Sequence, residues 1–222
     1  MNVGVLLAAG ASSRMGSPKA LVLRRGQSFL AHGVRALWSA CDAVVVVLGA
    51  HSREVRAGAE EEFTRLVEGG HLSSELHAAS RKGARALEVR FAQNAAWKRG
   101  MLSSVRCGLA EAMRMKPRGV FVLPVDHPDV RPETVSRLAG VMEEALGAVG
   151  TRTREGFEYA LVPRHRGRRG HPLALSPALA RAIARDRGAR DLGDAVRRRA
   201  RLVAYLDVKD AGVARNLNAP AR

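Results

Sequence analysis

Apolar residues occur along this chain in short runs, and between the runs lie longer segments in which apolar positions recur at helical spacing. The runs predict buried strands at Val3–Ala8, Asp42–Leu48, Leu87–Phe91, Gly119–Val125, Tyr159–Val162, Pro172–Leu175 and Arg201–Leu206. The spaced segments predict helices at Ser28–Ala40, His51–Arg85 (in two pieces broken near Gly69-Gly70), Ser103–Met115, Pro132–Leu146, Pro177–Arg185 and Asp191–Arg199. This alternation predicts a single-domain, doubly wound α/β fold with a mostly parallel, Rossmann-like sheet.

The composition is ordinary except for a net charge of +16, from 37 Lys and Arg against 21 Asp and Glu. Such a charge favours nucleotides, phosphorylated cofactors or nucleic acid, although arginines spread along a chain can equally be solvated surface. Cys41 and Cys107 are far apart, which argues against a disulfide framework or a cysteine zinc site. No apolar run approaches the ~20 residues of a membrane span, so we expect a cytoplasmic protein.

The candidate chemistry starts directly after the first apolar run, in "LLAAGASSRMGSPKA". Glycine lets backbone N–H groups come close to a phosphate, and Arg14 and Lys19 can neutralise a triphosphate. The middle glycine of a dinucleotide fingerprint is missing here, and a Walker A loop would need its glycine and lysine where Met15 and Gly16 stand. The stretch therefore predicts a phosphate-binding turn of a less common kind.

The pattern LAAGxSxRMGxxK, from Leu7 to Lys19, resembles the MobA-like nucleotidyltransferase family, in particular its molybdenum cofactor cytidylyltransferase branch. The alternative is a glycine-rich turn with incidental charge. The resemblance implies that Arg14 and Lys19 are catalytic. It also implies a nucleotide site formed by Leu7, Ala8, Ala9, Gly10, Ser12, Ser13 and Gly16.

A second segment, "NAAWKRGMLSSVRCGL" (Asn94–Leu109), is similar to another motif of that branch. The resemblance implies that Gly100, Ser103 and Ser104 lie beside the base and ribose. Taken alone, these residues would more often be a helix start that Ser103 or Ser104 caps, and the two roles are compatible.

The segment "VLPVDHPDV" places Asp126 at the end of a buried strand, where open α/β sheets bind their ligands. A carboxylate there can hold a Mg²⁺ that bridges phosphate oxygens, and the resemblance implies that Asp126 is the catalytic metal ligand. The alternative is a helix cap, for which Asp129 is better placed. His127, alone in a turn, is expected to be structural.

The basic segment "RHRGRRGHPLAL" is similar to the part of the same branch that holds the second substrate. That resemblance implies contacts to the acceptor from Arg168, Arg169, Gly170 and His171, in which the glycine permits close approach of the ligand. A run of charge is otherwise a solvated face. Without flanking aromatic residues it lacks the stacking platform of a single-stranded nucleic acid site.

The segment "DVKDAGVARNLNAPAR" looks like the family's closing signature, with Asn216, Asn218 and Pro220 in register. The resemblance implies that Asn216 gives a second contact to the metal. Ala219 replaces the threonine of that signature, and a neutral amide is a weaker ligand than a carboxylate. A turn residue is the alternative for Asn216.

Together these features predict a Mg²⁺-dependent transfer of CMP from CTP to the terminal phosphate of molybdopterin, with release of pyrophosphate. We expect one domain over 1–222, with a nucleotide-binding half of about 1–130 and a second-substrate half of about 131–222. The acceptor phosphate is already ionised near neutral pH, so no general base is required. The expected partners are the two substrates and a recipient molybdoenzyme or its chaperone, with no membrane and no nucleic acid.

Two other functions remain open at this point. A guanylyltransferase or a sugar- or alcohol-phosphate nucleotidyltransferase would use the same fold. The methyl of Ala9, where the guanylyl-transferring branch usually has glycine, favours the smaller pyrimidine. Outside the enzymes, a basic module could bind nucleic acid through Arg164–Arg169 and Arg197–Arg201, and its binding would fall steeply with salt.

Overall fold

The computed structural model describes residues 1–11, 17–68, 88–149 and 156–217. Within them the strands are β1 (Asn2–Ala8), β2 (Leu23–Arg24), β3 (Gln27–Ser28), β4 (Ala43–Leu48), β5 (Glu88–Gln93), β6 (Gly119–Pro124), β7 (Tyr159–His165), β8 (Arg168–Arg169), β9 (Leu173–Leu175) and β10 (Leu202–Asp207). The main sheet has the order β10-β7-β9-β6-β1-β4-β5, with β8 paired to β7. Strands β2 and β3 form a separate antiparallel hairpin.

The helices are α1 (Phe29–Trp38), α2 (Ser52–Glu68), α3 (Met101–Arg114), α4 (Pro132–Ala148), α5 (Pro177–Arg185) and α6 (Leu192–Arg199). Three of them begin at side chains that accept a hydrogen bond from the first turn, namely Ser28, Ser176 and Asp191. Such caps satisfy backbone N–H groups that have no partner inside the helix. They explain why these helices begin where polar residues interrupt the apolar pattern.

Hydrophobic cores cover both faces of the sheet. In β4, Val44 and Val46 belong to one core, and Val45 and Val47 to the other. Successive side chains of a strand point to opposite faces, so a strand buried on both faces is apolar at every position. This explains why "AVVVVL" is a continuous run rather than an alternating one.

The predicted α/β fold is confirmed, and the described strands and helices lie at or within a few residues of the predicted ones. Two strands of the main sheet are antiparallel to their neighbours: β9 pairs in this way with β6 and β7, and β8, which was not predicted, with β7. The hairpin β2–β3 was not predicted. The second predicted helical piece, after Gly69-Gly70, lies outside the described residues. No helix in the described ranges is long and apolar enough to cross a membrane.

The register of the central strands determines where the site forms. Strands β1 and β6 are parallel neighbours in which Leu7 pairs with Pro124. The N–H of Val125 donates to the carbonyl of Leu7 over 3.1 Å, which extends the pairing to the end of both strands. The glycine turn after β1 and the aspartate turn after β6 therefore leave the sheet side by side.

Candidate nucleotide and acceptor site

A cleft of about 390 Å³ opens at the carboxyl ends of β1 and β6. Its walls include Leu7, Ala8, Ala9, Gly10 and Ala11 from the first turn and Pro124, Val125 and Asp126 from the second. Lys19 enters from a 3-10 turn, Lys19–Leu21, that follows the glycine turn. Its Nζ lies 3.7 Å from Oδ2 of Asp126, and both side chains are about one-fifth exposed. A cation and a carboxylate thus face the same cleft.

The carboxylate of Asp126 has two different environments. Oδ2 faces Lys19, whereas Oδ1 is buried without a hydrogen-bond partner among the described residues. A buried carboxylate oxygen normally has a partner, because leaving it unpaired costs free energy. A hard oxygen donor without a partner, on a residue that lines the cleft, fits a divalent cation.

Asn216 precedes a residue that is bonded to the backbone of Asp126, although Asn216 is not among the residues that line the cleft. The N–H of Leu217 donates to the carbonyl of Asp126 over 2.8 Å, although the two residues are far apart in sequence. Asn216 itself is exposed. The structure therefore brings the two predicted metal ligands to neighbouring positions, whereas Asn218 and Pro220 lie outside the described residues.

The start of the glycine turn is packed tightly against the next strand. Ala9 is 5 % exposed and lines the cleft, and its carbonyl accepts a hydrogen bond from the N–H of Ala50. A Cβ on Gly49 would collide with the carbonyl and the methyl of Ala9. Gly10, in contrast, has open space around it. The predicted contacts from Ser12, Ser13, Arg14 and Gly16 fall outside the described residues.

The two serines at the start of α3 act differently from the predicted helix cap. The N-cap is Gly100, which has a φ of 91° and makes no side-chain cap, so a capping role for Ser103 or Ser104 is wrong. Both hydroxyls instead accept hydrogen bonds of 2.9 Å from the amide of Asn94, which is 5 % exposed. Ser104 and Gly100 line the cleft, while Ser103 lies behind them and donates to the carbonyls of Ala96 and Gly100.

Asn94, Trp97, Lys98 and Met101 were not among the predicted site residues. Asn94 fixes both serines, and the other three line the cleft opposite the glycine turn. The ammonium of Lys98 lies 5.6 Å from the ring centre of Trp97. Asn94 and Trp97 belong to the segment "NAAWKRGMLSSVRCGL", which resembles a motif of the family, so both residues could have been found from that resemblance.

The turn that carries Asp126 is held from two sides. Arg24, from the hairpin β2–β3, donates to both oxygens of Asp129 over 2.6 and 2.8 Å. The carboxylate that binds the start of α4 is Asp210, which accepts from the N–H of Arg131 and the hydroxyl of Thr134. The expectation that Asp129 caps this helix is therefore wrong, because an arginine distant in sequence takes its carboxylate.

His127 is buried next to Asp126 and contacts two residues that lie further along the chain. Its Nδ1 lies 3.3 Å from the carbonyl of Gly212, so the ring donates there. Its ring also meets that of His171 edge to face, with centres 5.0 Å apart. Burial lowers the pKa of both histidines, and that of His171 falls to about 4. At neutral pH both rings are uncharged, which agrees with the structural role expected for His127.

A second cavity of about 340 Å³ lies beside the first, and Met101 lines both. Among the predicted acceptor contacts, Arg169, Gly170 and His171 line this cavity, together with residues of α6 and β10. Arg168 is exposed on β8 and is not part of its lining. A Cβ on Gly170 would collide with the carbonyl of Val213. The missing side chain is thus required by the protein's own backbone, and the close approach of a ligand at Gly170 stays a prediction.

Comparison with known proteins identifies the same family that the sequence motifs resemble. Residues 4–203 match the model of the MobA-like NTP transferase domain. A nicotine blue oxidoreductase from Paenarthrobacter nicotinovorans is 31 % identical over 213 residues, which cover 93 % of this chain and 87 % of that protein. A probable molybdenum cofactor guanylyltransferase from Bacillus cereus (strain Q1) is 43 % identical over 51 residues, which are 23 % of this chain and 26 % of that protein.

Solved structures show the same fold at low identity. The crystal structure of Rv0371c from Mycobacterium tuberculosis H37Rv superposes with a TM-score of 0.65 at 24 % identity, over 98 % of this chain and 92 % of that one. A manganese complex of Rv0371c superposes with a TM-score of 0.59 at 22 % identity, over 93 % of this chain and 87 % of that one. These likenesses establish the shared architecture.

Proposed function

Because this chain belongs to the MobA-like NTP transferase family, we propose that it transfers CMP from CTP to the terminal phosphate of a molybdopterin-type acceptor. The family makes it a nucleotidyltransferase. The choice of CTP, of Mg²⁺ and of this acceptor is the finer part of the proposal, and each has its own support.

The observation that carries the proposal is the meeting of Lys19 and Asp126 in one cleft, 3.7 Å apart. An ammonium beside a carboxylate with an unpaired oxygen is an arrangement that suits a triphosphate and a divalent cation bound together. Phosphoryl and nucleotidyl transfer depend mainly on positioning and on stabilising charge, so few further groups are needed. Lys19, with Arg14 from the glycine turn, is proposed to stabilise the departing pyrophosphate.

The metal is proposed to bind Asp126, with Asn216 beside it. Within the described residues no group of three or more His, Cys, Asp or Glu forms a metal site by itself. That suits Mg²⁺, which is commonly held by one or two protein ligands plus substrate phosphates and water. When bound, the ion would neutralise phosphate charge that develops during transfer. The manganese complex of Rv0371c shows that a divalent metal accompanies this fold in that protein.

The acceptor is proposed to occupy the second cavity, with its phosphate reaching past Met101 toward the first. An oxygen of that phosphate attacks the α-phosphorus of CTP, and the bond from the α-phosphorus to the bridging oxygen of the β-phosphate breaks. Pyrophosphate leaves with the electron pair. The attacking oxygen is already anionic near neutral pH, so this chain needs no base at that position.

Support for CTP comes from Ala9, which lines the cleft and is fixed by its contact with Gly49. The segment from Leu7 to Gly10 reads LAAG, as in the cytidylyl-transferring branch that it resembles, whereas the guanylyl-transferring branch usually has a glycine in place of Ala9. Guanylyl transfer is the second candidate, and the relative from Bacillus cereus favours it over its 51 matched residues. Base preference is therefore the first quantity to measure.

The experiment is pyrophosphate release from CTP, GTP, ATP and UTP, with purified molybdopterin as acceptor and with or without Mg²⁺. We expect turnover with CTP and Mg²⁺, and a loss of about 100-fold or more in Lys19→Gln and Asp126→Asn, since each removes charge that acts on the transition state. Matched controls are Lys116→Gln and Glu88→Gln, which change exposed groups outside both cavities. These controls should keep full activity.

Three results would contradict the proposal in different ways. Turnover with GTP in preference to CTP would replace the cytidylyl assignment by the guanylyl one. Full activity in Asp126→Asn would remove the metal assignment. An absence of pyrophosphate release with every nucleotide would contradict nucleotidyl transfer itself.

A further inference from the structure

The second cavity has mainly apolar walls. They are formed by five aliphatic side chains, from β7, β9, α6 and β10: Val162, Leu173, Leu192, Val196 and Val203. Aliphatic walls offer no partner to the hydroxyl groups of a sugar or polyol, and an unpaired buried hydroxyl costs free energy. Two of the polar residues that also line the cavity, Asp191 and Arg197, are engaged with Asp194. The body of a ligand that fits here is therefore flat or apolar rather than rich in hydroxyls.

Tyr205 closes this cavity from the edge strand β10. Its side chain lines the cavity and is 39 % exposed, which is unusual for a large ring in this protein. The guanidinium of Arg169 lies 5.2 Å from the ring centre and that of Arg164 lies 5.5 Å away. An aromatic ring beside cationic groups offers a π-surface on which another electron-poor or anionic ring can stack.

The two arginines differ in how their charge is compensated. Arg164 is held by Asp207, to which it donates over 2.8 and 2.7 Å. Arg169 forms no ion pair or side-chain hydrogen bond within the residues that the structure describes, and it lines the cavity. Its charge is therefore available for an anionic group on a ligand that stacks against Tyr205.

We infer that Tyr205 determines the specificity of the acceptor site. It selects a flat heteroaromatic acceptor and stacks against its ring, while Arg169 binds an anionic substituent at the edge of that ring. This inference rests on the proposed function in that the second cavity is the acceptor site. The inference favours a heteroaromatic acceptor over the sugar- or alcohol-phosphate acceptors, which the sequence alone left as alternatives.

The test is equilibrium binding of pterin-6-carboxylate, a flat anionic heterocycle, followed by its fluorescence in the absence of any nucleotide. We expect saturable binding to the full-length protein, a loss of about tenfold in affinity for Tyr205→Leu, and a change within about twofold for Tyr205→Phe. Arg169→Gln should weaken pterin-6-carboxylate about tenfold and the uncharged parent pterin less than twofold. Glycerol 3-phosphate should not compete at equal concentration.

Leu202→Ala is the matched control, because Leu202 is exposed on the same strand but is not part of the cavity lining. It should bind as the wild type does, and thermal melts should show that every variant is folded. Unchanged affinity in Tyr205→Leu, an absence of pterin binding, or competition by glycerol 3-phosphate would each overturn the inference. If pterin-6-carboxylate binds in a way that depends on Tyr205 but no nucleotide releases pyrophosphate, the inference about Tyr205 is supported and the proposed function is contradicted.

Discussion

Arg24 and Asp129 join two parts of the site that are distant in sequence. The guanidinium donates to both carboxylate oxygens over 2.6 and 2.8 Å, and both side chains are about one-fifth exposed. Arg215 approaches the same carboxylate to 3.9 Å. Asp129 thus ties the hairpin that follows Lys19 and the segment that carries Asn216 to the turn of Asp126.

Replacing Asp129 should impair the site without touching a substrate. We expect Asp129→Asn to lower kcat/KM about tenfold and to lower the free energy of unfolding by about 1–2 kcal/mol, because half of a charged bidentate pair is lost. Steady-state kinetics and urea unfolding measure the two effects. Glu88→Gln, which breaks an exposed pair with Arg90, is the control and should change neither. Wild-type kinetics in Asp129→Asn would show that the contacts of Asp129 with Arg24 and Arg215 do not position the site.

Asn216 offers a direct test of the second metal contact. A carboxylate binds Mg²⁺ more strongly than an amide, so Asn216→Asp should lower the Mg²⁺ concentration needed for half-maximal activity by several-fold. Asn216→Ala should raise it by a similar factor. Two Mg²⁺ titrations that both coincide with the wild-type curve would show that Asn216 is a turn residue and does not bind the metal.

Stability should fall in mild acid because of His171. Burial lowers the pKa of this histidine to about 4 in the folded chain, from 6.5 when unperturbed. Below pH 6.5 the unfolded chain therefore binds a proton that the folded chain does not, and stability decreases as the pH falls toward 4. The decrease in the free energy of unfolding that is attributable to His171 should be about 1–3 kcal/mol.

Urea unfolding between pH 4.5 and 7.5 measures this dependence. His171→Asn should show a shallower fall than the wild type. His51→Gln, which changes a side chain that is 39 % exposed, should follow the wild-type curve. Parallel curves for the wild type and His171→Asn would contradict the assignment of this acid sensitivity to His171.

Gly212 marks the tightest contact between the C-terminal segment and the Asp126 turn. A Cβ there would collide with the carbonyl of Asp129, so Gly212→Ala should destabilise the protein by about 2–3 kcal/mol and reduce activity as well. Gly140, inside α4, has open space around its Cβ position. Gly140→Ala should therefore stabilise by about 0.5–1 kcal/mol, since alanine favours the helix. Equal thermal melts for the two variants would contradict the packing described.

The sheet could be predicted from the sequence because its signals are local. The run "AVVVVL" at Ala43–Leu48 is apolar at every position, as a strand covered on both faces must be, and Pro177–Arg185 begins with a proline at a position where helices accept it. The direction of β9 could not be predicted, because three residues carry no directional signal. It depends on pairing with Val120–Val122 and Ala160–Leu161.

The candidate site was predictable where a motif placed residues at the end of a strand, as for Lys19 and Asp126. It was not predictable where the contact spans the chain. Asp126 and Asp129 were both candidate helix caps in the sequence, and the bond from Arg24 to Asp129 and the contact of Asp210 with the start of α4 became visible only in the structure. Asn94 was missed for a different reason: its contacts are local, but its role lies in the two serine hydroxyls that its amide binds rather than in lining the cleft.

The most direct test of the central claim is a crystal structure of this protein with Mn²⁺ and CTP, in which anomalous scattering locates the metal. We expect a manganese peak within about 2.2 Å of a carboxylate oxygen of Asp126, the hard oxygen donor of this cleft. We also expect triphosphate density between that peak, Lys19 and the turn at Gly10. A manganese and triphosphate bound elsewhere, with the cleft between Lys19 and Asp126 empty, would contradict that claim.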